Sequence, residues 1–345
     1  MIPGRGRTSV ILSRFLPLLI LALACIGPSN VVCAQEQPPP SPQALTVATQ
    51  LVFIDASVLD HQGNFVAGLT DRNFRILDNG AESRIVKFTP VEAPAQVLVM
   101  LETSPAVYLI HDQHLIAAYA LVDGLAADDQ VSLVSYDQEP HEVLKFTTDK
   151  SALLSALNGV QFTIGMGYLN FYDSISRTLD SLSPAGGKRA LVILGTGLDS
   201  SPPGHWDELV RKLRGGDVVI FCVALGGVLR GSAAPPPKKS KKTAPPESGA
   251  DQSFMKADSA LRSLATITGG RTYFPQSDKD FVPIYHEIAS ALRHQYVIGV
   301  NPAQDGQFHT LTVEPLDANG QPMNPPGKKP AVRVFAREGY LAPGP

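Results

Sequence analysis

The stretch Val97-Leu98-Val99-Met100-Leu101-Glu102-Thr103-Ser104-Pro105-Ala106 sets the class of fold. Five consecutive apolar residues leave no polar face, as in a strand covered on both sides, and such strands belong to parallel sheets with helices above and below. The run ends in a carboxylate and two hydroxyls, oxygen-rich residues at a strand-to-helix junction. The same grammar repeats downstream. His114 to Leu125 carries Leu115, Ala118, Tyr119, Val122 and Leu125 at helical spacing. Val131 to Tyr136 reads as a strand with Glu142 to Phe146 as its partner, and Asp149 caps a helix running to Leu157. Tyr172 to Leu182 is a helix, Arg189 to Leu194 a second fully apolar strand, and Trp206 to Leu213 a helix closed by Gly215-Gly216. Val218 to Leu225 is a third buried-type strand. Ala257 to Thr268 is a helix ended by Gly269-Gly270, with Gly270 suited to a left-handed cap. A last helix, Phe281 to Leu292, feeds Tyr296 to Val300. Strands alternating with helices in this way predict a doubly wound, mostly parallel α/β sheet.

Both flanks change character. Leu51 to Ile54 and Ala56 to Leu59 are β-rich, and Phe74 to Leu77 and Ser83 to Phe88 alternate around Asp78-Asn79-Gly80. Asn79-Gly80 is a strong hairpin signal, because both residues tolerate positive φ. At the other end Phe308 to Val313 and Ala331 to Phe335 alternate again. Isolated two- or three-stranded pieces are marginal in water. One composite β-sandwich is therefore expected, with Leu51, Phe53, Ile76, Ile85 and Phe88 packing against Leu311, Val313, Val332 and Val334, and the α/β domain inserted between its halves. These readings divide the chain into a signal peptide over 1–34 and a flexible proline-rich linker over 35–48. An N-terminal β segment follows over 49–92, then the α/β domain over 93–300 with a disordered, lysine-rich insertion at 231–252, then a C-terminal β segment over 301–345.

The export signal rests on order. Arg5, Arg7 and Arg14 precede an apolar run from Phe15 to Ile26, and Val32-Cys33-Ala34 offers small residues at a cleavage site. The apolar run is shorter than the roughly 20 residues that span a bilayer, so a cleaved signal is expected in place of a stable transmembrane anchor, and the destination is periplasmic or secreted. A lipoprotein signal at Leu21-Ala22-Leu23-Ala24-Cys25 is the alternative. Cleavage after Ala34 leaves Cys222 as the sole cysteine, so no intramolecular disulfide forms. It also leaves 311 residues at a net charge of −6, with 26 Lys+Arg against 32 Asp+Glu. An acidic chain lacks the concentrated basic face that nucleic acid requires. With 44% hydrophobic and 18% charged residues it has ample core-forming material.

In a doubly wound sheet, ligands bind beyond the carboxyl ends of the strands where the strand order reverses. Two strand ends qualify: Glu102-Thr103-Ser104 after the first buried strand, and Gly195-Thr196-Gly197-Leu198-Asp199 after the second. The same residue types also serve as helix caps and turns. Elsewhere the chemistry is thin. His111-Asp112-Gln113-His114 lacks the i, i+4 spacing of a helical zinc site and reads as a surface helix start. Cys222, inside an apolar strand, reads as a buried hydrophobe. Neither a Gly-x-Ser-x-Gly elbow nor a phosphate-binding Gly-x-x-x-x-Gly-Lys loop occurs.

Six segments carry a resemblance. They are Val66-Ala67-Gly68-Leu69-Thr70 with Phe74 to Gly80, Phe171-Tyr172-Asp173, Lys188 to Leu194, Thr268-Gly269-Gly270-Arg271, Gln295 to Gly299, and Ala336-Arg337-Glu338-Gly339-Tyr340. In this order, from about Leu51 to Ala342, they resemble the von Willebrand factor A-related family described from acidobacterial proteins, within the von Willebrand factor type A superfamily. The resemblance implies a von Willebrand factor A-like fold. It also implies a metal-ion-dependent adhesion site, in which Asp-x-Ser-x-Ser, a Thr and a later Asp surround Mg²⁺ and a partner supplies a carboxylate. Carried over residue by residue, the pattern here becomes Glu102, Ser104 and Ala106, then Leu169 in place of Thr, and Thr196 in place of Asp. Mg²⁺ demands a near-octahedral oxygen shell. The surviving set, Glu102, Ser104 and Thr196, is thus expected to bind it weakly or stay empty, and no other cofactor is expected. The function implied is that of an exported, non-catalytic, adhesion-type module. It would bind another extracytoplasmic protein through a face of Glu102, Thr103, Ser104, Thr196 and Asp199. The alternatives are a structural or assembly subunit of an envelope complex with no ligand at that face, and, third, an enzyme whose site is unrecognised.

Overall fold

Alternation along one strand explains how the centre of the protein is layered. A computed structural model describes residues 51–344 except 165–167, 183–187, 201–204, 228 and 230–248. The expected signal peptide, the linker and most of the lysine-rich insertion lie outside the described residues. In β5 (Ala95–Glu102), Val97, Val99 and Leu101 join one apolar cluster, while Leu98 and Met100 join another. Successive side chains point to opposite faces, so a strand with two cores needs an unbroken apolar run.

Five parallel strands form the sheet: β5, β6 (Gln130–Tyr136), β8 (Lys188–Gly195), β9 (Val219–Ala224) and β10 (Thr272–Tyr273). The hairpin partner β7 (Pro140–Thr147) closes one edge antiparallel. The order across the sheet is β10-β9-β8-β5-β6-β7. The cluster containing Val97 also takes residues of α1 (His111–Gly124), α2 (Lys150–Asn158) and α6 (Phe281–Arg293). The cluster containing Leu98 takes α3 (Phe171–Ser181), α4 (His205–Gly215) and α5 (Gly249–Thr268). Asp149 caps α2, its carboxylate accepting from Ser151 N and Ala152 N. Cys222 is fully buried, and burial pushes its thiol up to about 12.

The flanking strands form two four-stranded sheets. One has the order β13 (Arg333–Phe335), β1 (Val52–Leu59), β11 (His294–Val300), β4 (Ile85–Glu92). The other has β14 (Gly339–Leu341), β12 (Phe308–Pro315), β2 (Phe74–Asp78), β3 (Ala81–Ser83). Strands from both ends of the chain pair directly, with Val313 opposite Ile76 and Val58 opposite Val334. Ile54, Val58, Ile76, Tyr296, Leu311 and Tyr340 share one core between the sheets. Asn79 (φ 48°) and Gly80 (φ 82°) make the two-residue turn that joins β2 to β3.

The structure departs from the sequence reading at five places. The two β-rich stretches form one continuous strand, Val52–Leu59, because Asp55 stays exposed and interrupts nothing. Phe53 is 47% exposed and faces away from the sandwich core, beneath Lys87. The strand after α6 joins the sandwich between β1 and β4, leaving the α/β sheet to end at β10. Helix α5 begins at Gly249, inside the stretch expected to be disordered. Gly269, not Gly270, takes the left-handed conformation (φ 83°), while Gly270 lies so close to the Ile220 carbonyl that a Cβ would collide with it.

Candidate functional site

The strand order reverses between β5 and β8, so the chain leaves these neighbours toward opposite faces and opens a crevice at their carboxyl ends. Glu102 is the last residue of β5, and Thr196 follows the last residue of β8. The topology thus brings together two residues that are 94 positions apart in sequence.

Their arrangement is a closed hydrogen-bonded knot. Ser104 Oγ donates to Glu102 Oε1 at 2.5 Å. Thr196 N donates to Oε2 at 2.6 Å, and the Thr196 hydroxyl lies 2.9 and 3.1 Å from the two carboxyl oxygens. Tyr136, at the end of β6, donates to Oε2 at 3.3 Å. Glu102 and Thr196 are 0% exposed, and Thr103 and Ser104 3%. Burial raises the Glu102 pKa, and the hydrogen bonds from Ser104, Thr196 and Tyr136 offset only part of that rise. Gly195 makes the knot possible, since a Cβ there would stand 2.6 Å from Glu102 Oε2 and strike the Tyr136 hydroxyl.

His114 completes the floor. It is fully buried on α1, with Nε2 2.8 Å from the Glu102 carbonyl oxygen, and burial lowers its pKa to about 4. The expected surface helix start therefore holds for His111 but not for His114, which α1 turns into the core. From sequence, Tyr136 has no site role, His114 reads as part of a surface helix start, and Gly195 enters only as a member of the second strand-end loop. The signal available was position: Tyr136 ends a strand parallel to β5, and Gly195 directly precedes Thr196.

The remaining predicted residues have other duties. Thr103 N and Oγ1 both donate to the Tyr136 carbonyl, at 2.8 and 3.2 Å. Asp199 stays out of the knot and caps α3, with its Oδ1 accepting from Phe171 N at 2.8 Å and Tyr172 N at 3.3 Å. Leu169 is buried in the apolar cluster beneath α3. Ala106 supplies no side-chain oxygen. These residues do not fit Mg²⁺. The Ser104 and Thr196 hydroxyls are spent on the carboxyl group, Leu169 contributes carbon, and one buried carboxyl cannot build a near-octahedral shell at about 2.0–2.1 Å. Among the described residues no group of three or more His, Cys, Asp or Glu is placed to hold a metal.

Above the knot the surface is apolar. Thr163 N donates to the Thr103 carbonyl at 2.8 Å, pinning the α2–α3 loop over the end of β5. Phe162 packs against the His111 and His114 rings, and Tyr108 stacks on His111. From these two loops Leu109, Ile164 and Tyr168 project at 79%, 76% and 74% exposure, the three most exposed large apolar side chains among the described residues. A face expected to present Glu102, Thr103, Ser104 and Thr196 instead buries them and presents these.

The doubly wound sheet with an antiparallel edge, its reversal at the Glu102–Thr196 crevice and its insertion into a sandwich agree with the von Willebrand factor A-like layout that the sequence resemblance implies. No protein-family model matches the chain, and no curated protein matches it. Among solved structures it is similar to BatB from Bacteroides thetaiotaomicron, at 17% identity over 58% of this chain and 98% of that one, TM-score 0.41. It is also similar to a von Willebrand factor type A protein from Catenulispora acidiphila, at 11% identity over 85% of this chain and 75% of that one, TM-score 0.42. A third is proximal thread matrix protein 1 of the mussel byssus with its adhesion motif occupied by zinc, at 13% identity over 61% and 49%, TM-score 0.41. At these identities and TM-scores no role follows from the likeness. No helix among the described residues is long and apolar enough to cross a membrane.

Proposed function

We propose that this chain is an exported, non-catalytic protein-binding module that engages its partner at the strand-end face without a metal ion. The observation that carries the reading is the closure of Glu102 by hydroxyl and amide donors directly beneath an apolar rim. A carboxyl group so engaged offers a ligand neither a coordination site nor a nucleophile. Three large apolar side chains held in water cost solvation free energy that a partner recovers by covering them, at roughly 25 cal/mol per Å². Export is supported by the basic, apolar and small-residue order of residues 1–34.

The test is capture of a partner from an envelope extract on the immobilised mature chain. Capture is expected to be the same with chelator and with millimolar Mg²⁺. It is expected to be lost in Leu109→Asp and Tyr168→Asp variants that keep the parent circular dichroism and melting temperature. Chelator-sensitive capture would refute the metal-free mechanism, and full capture by both variants would move the binding site elsewhere.

A further inference from the structure

Helices α1, α3 and α4 start at the strand-end face, and their first turns are acidic. Asp112 lies in the first turn of α1, Asp173 in that of α3, and Asp207 and Glu208 in that of α4. The β6–β7 turn adds Asp137 and Glu139. These groups surround the apolar rim. Asp137 accepts the Thr163 hydroxyl at 2.7 Å and its carbonyl accepts Asn170 N, so the acidic turn abuts both ends of the loop bearing Ile164 and Tyr168. Tyr172 meets Trp206 edge-on, which sets the acidic start of α4 beside that of α3. Asp112 is 77% and Glu139 64% exposed. Against them stands Arg177, bonded to Asp173 at 2.9 Å and 3.8 Å from Glu139, with His111 and His141 beside Asp112 and Asp137.

We infer that the partner presents a basic protein surface, with lysine or arginine side chains flanking an apolar centre that sits on Leu109, Ile164 and Tyr168. This rests on the strand-end face being the binding face. Its chemistry is charge complementarity. An incoming carboxylate would meet Asp112, Glu139, Asp207 and Glu208, with Arg177 already held by Asp173 and facing Glu139, whereas an incoming ammonium or guanidinium group would meet exposed carboxylates. Opposite charge steers encounter and excludes acidic competitors, and the buried apolar centre supplies most of the affinity.

The experiment places a photo-crosslinking residue at position 109 or 168 of the full-length chain, in cells that export it, and sequences the cross-linked peptides. Partner peptides carrying Lys or Arg next to apolar residues are expected, and Asp112→Lys with Glu139→Lys should lower the yield about tenfold, as should moderate salt. Peptides that are acidic overturn the inference and leave the binding face standing. Crosslinks that run only to this chain's own Lys238–Lys242 stretch also overturn it, by showing that the basic occupant is internal. If neither position yields any crosslink, the binding-face reading falls with it.

Discussion

Replacing Thr196 by Val tests the closed knot with almost no change in shape. The substitution deletes the hydroxyl that lies 2.9 and 3.1 Å from the Glu102 oxygens, and which itself accepts Leu198 N at 3.2 Å. It keeps the Thr196 N–H bond to Oε2. A hydrogen bond to a charged group contributes about 1.5–3 kcal/mol, and leaving the Leu198 N–H without its acceptor costs about 1 kcal/mol more. A loss of about 3 kcal/mol follows, which for a chain of this size lowers the melting temperature by about 6 °C. The loss should depend on pH with a definite sign. Burial holds the folded pKa of Glu102 above its unfolded value, so its favourable contribution is complete below the unfolded pKa and fades as pH rises through the folded one. The ionised carboxyl needs the hydroxyl most, so the penalty of Thr196→Val should grow in that same direction. Calorimetric or fluorescence melts across this range measure it. A variant that melts within about 1 °C of the parent throughout would show that the hydroxyl does not support a buried carboxyl group. Stabilisation of the parent, but not the variant, by millimolar Mg²⁺ would show that a metal does the supporting.

Gly270→Ala should destabilise by about 3 kcal/mol or more in urea titration, because its Cβ would collide with Ile220 O and stand 2.7 Å from the Ile220 carbonyl carbon, backbone that β9 holds in place; a loss under about 1 kcal/mol would mean that β9 yields. His309 sits between Asp305 (3.1 Å) and Asp78 (2.5 Å), which raise its pKa. Stability from this contact is complete below the unfolded histidine pKa and fades as pH rises through the folded one, so His309→Gln should flatten urea-derived stability across neutral pH, and an unchanged slope would exclude the clamp. Deleting residues 307–345 removes β12 from β2 and β13 from β1. Amide exchange at Ile76 and Val58 should accelerate, and retained protection there would mean that the N-terminal strands stand alone.

Much of this architecture was legible because its signals are local. The apolar run Val97–Leu101 needs two cores wherever it sits, and Asn79-Gly80 turns the chain whatever follows. Partner choice is not local. His294–Val300 has the apolar texture of a parallel-sheet strand, and only the pairing of Tyr296 with Ala56 and Pro90 assigns it to the sandwich. The site divides in the same way. Glu102, Ser104 and Thr196 were visible as oxygen-rich strand ends, and the structure does gather them. Their burial was not visible, because it is produced by Tyr136, by the absence of a side chain at Gly195 and by the α2–α3 loop folding over Thr103. His114 was hidden for the same reason: an isolated helical histidine carries no mark that its neighbour will be a carbonyl at the end of β5.

The chain leaves the sandwich after Glu92 and rejoins it at His294, and these two residues are rungs of the same antiparallel ladder, with Ala93 N donating to Arg293 O at 3.3 Å. Tension applied between the start of β1 and the end of β14 is therefore carried by the sandwich ladders together with the contacts that fasten them to the α/β portion, among them Ser57 Oγ to Ala291 O and the ion pairs Arg333–Glu287 and Arg214–Glu338. Rupture of the β4–β11 seam would put the whole α/β chain, from Ala93 to Arg293, in series with the pull. While that seam holds, the strand ends at Glu102 and Gly195 lie within the stretch of chain it closes into a loop, off the shortest path of bonds between the two ends of the sandwich.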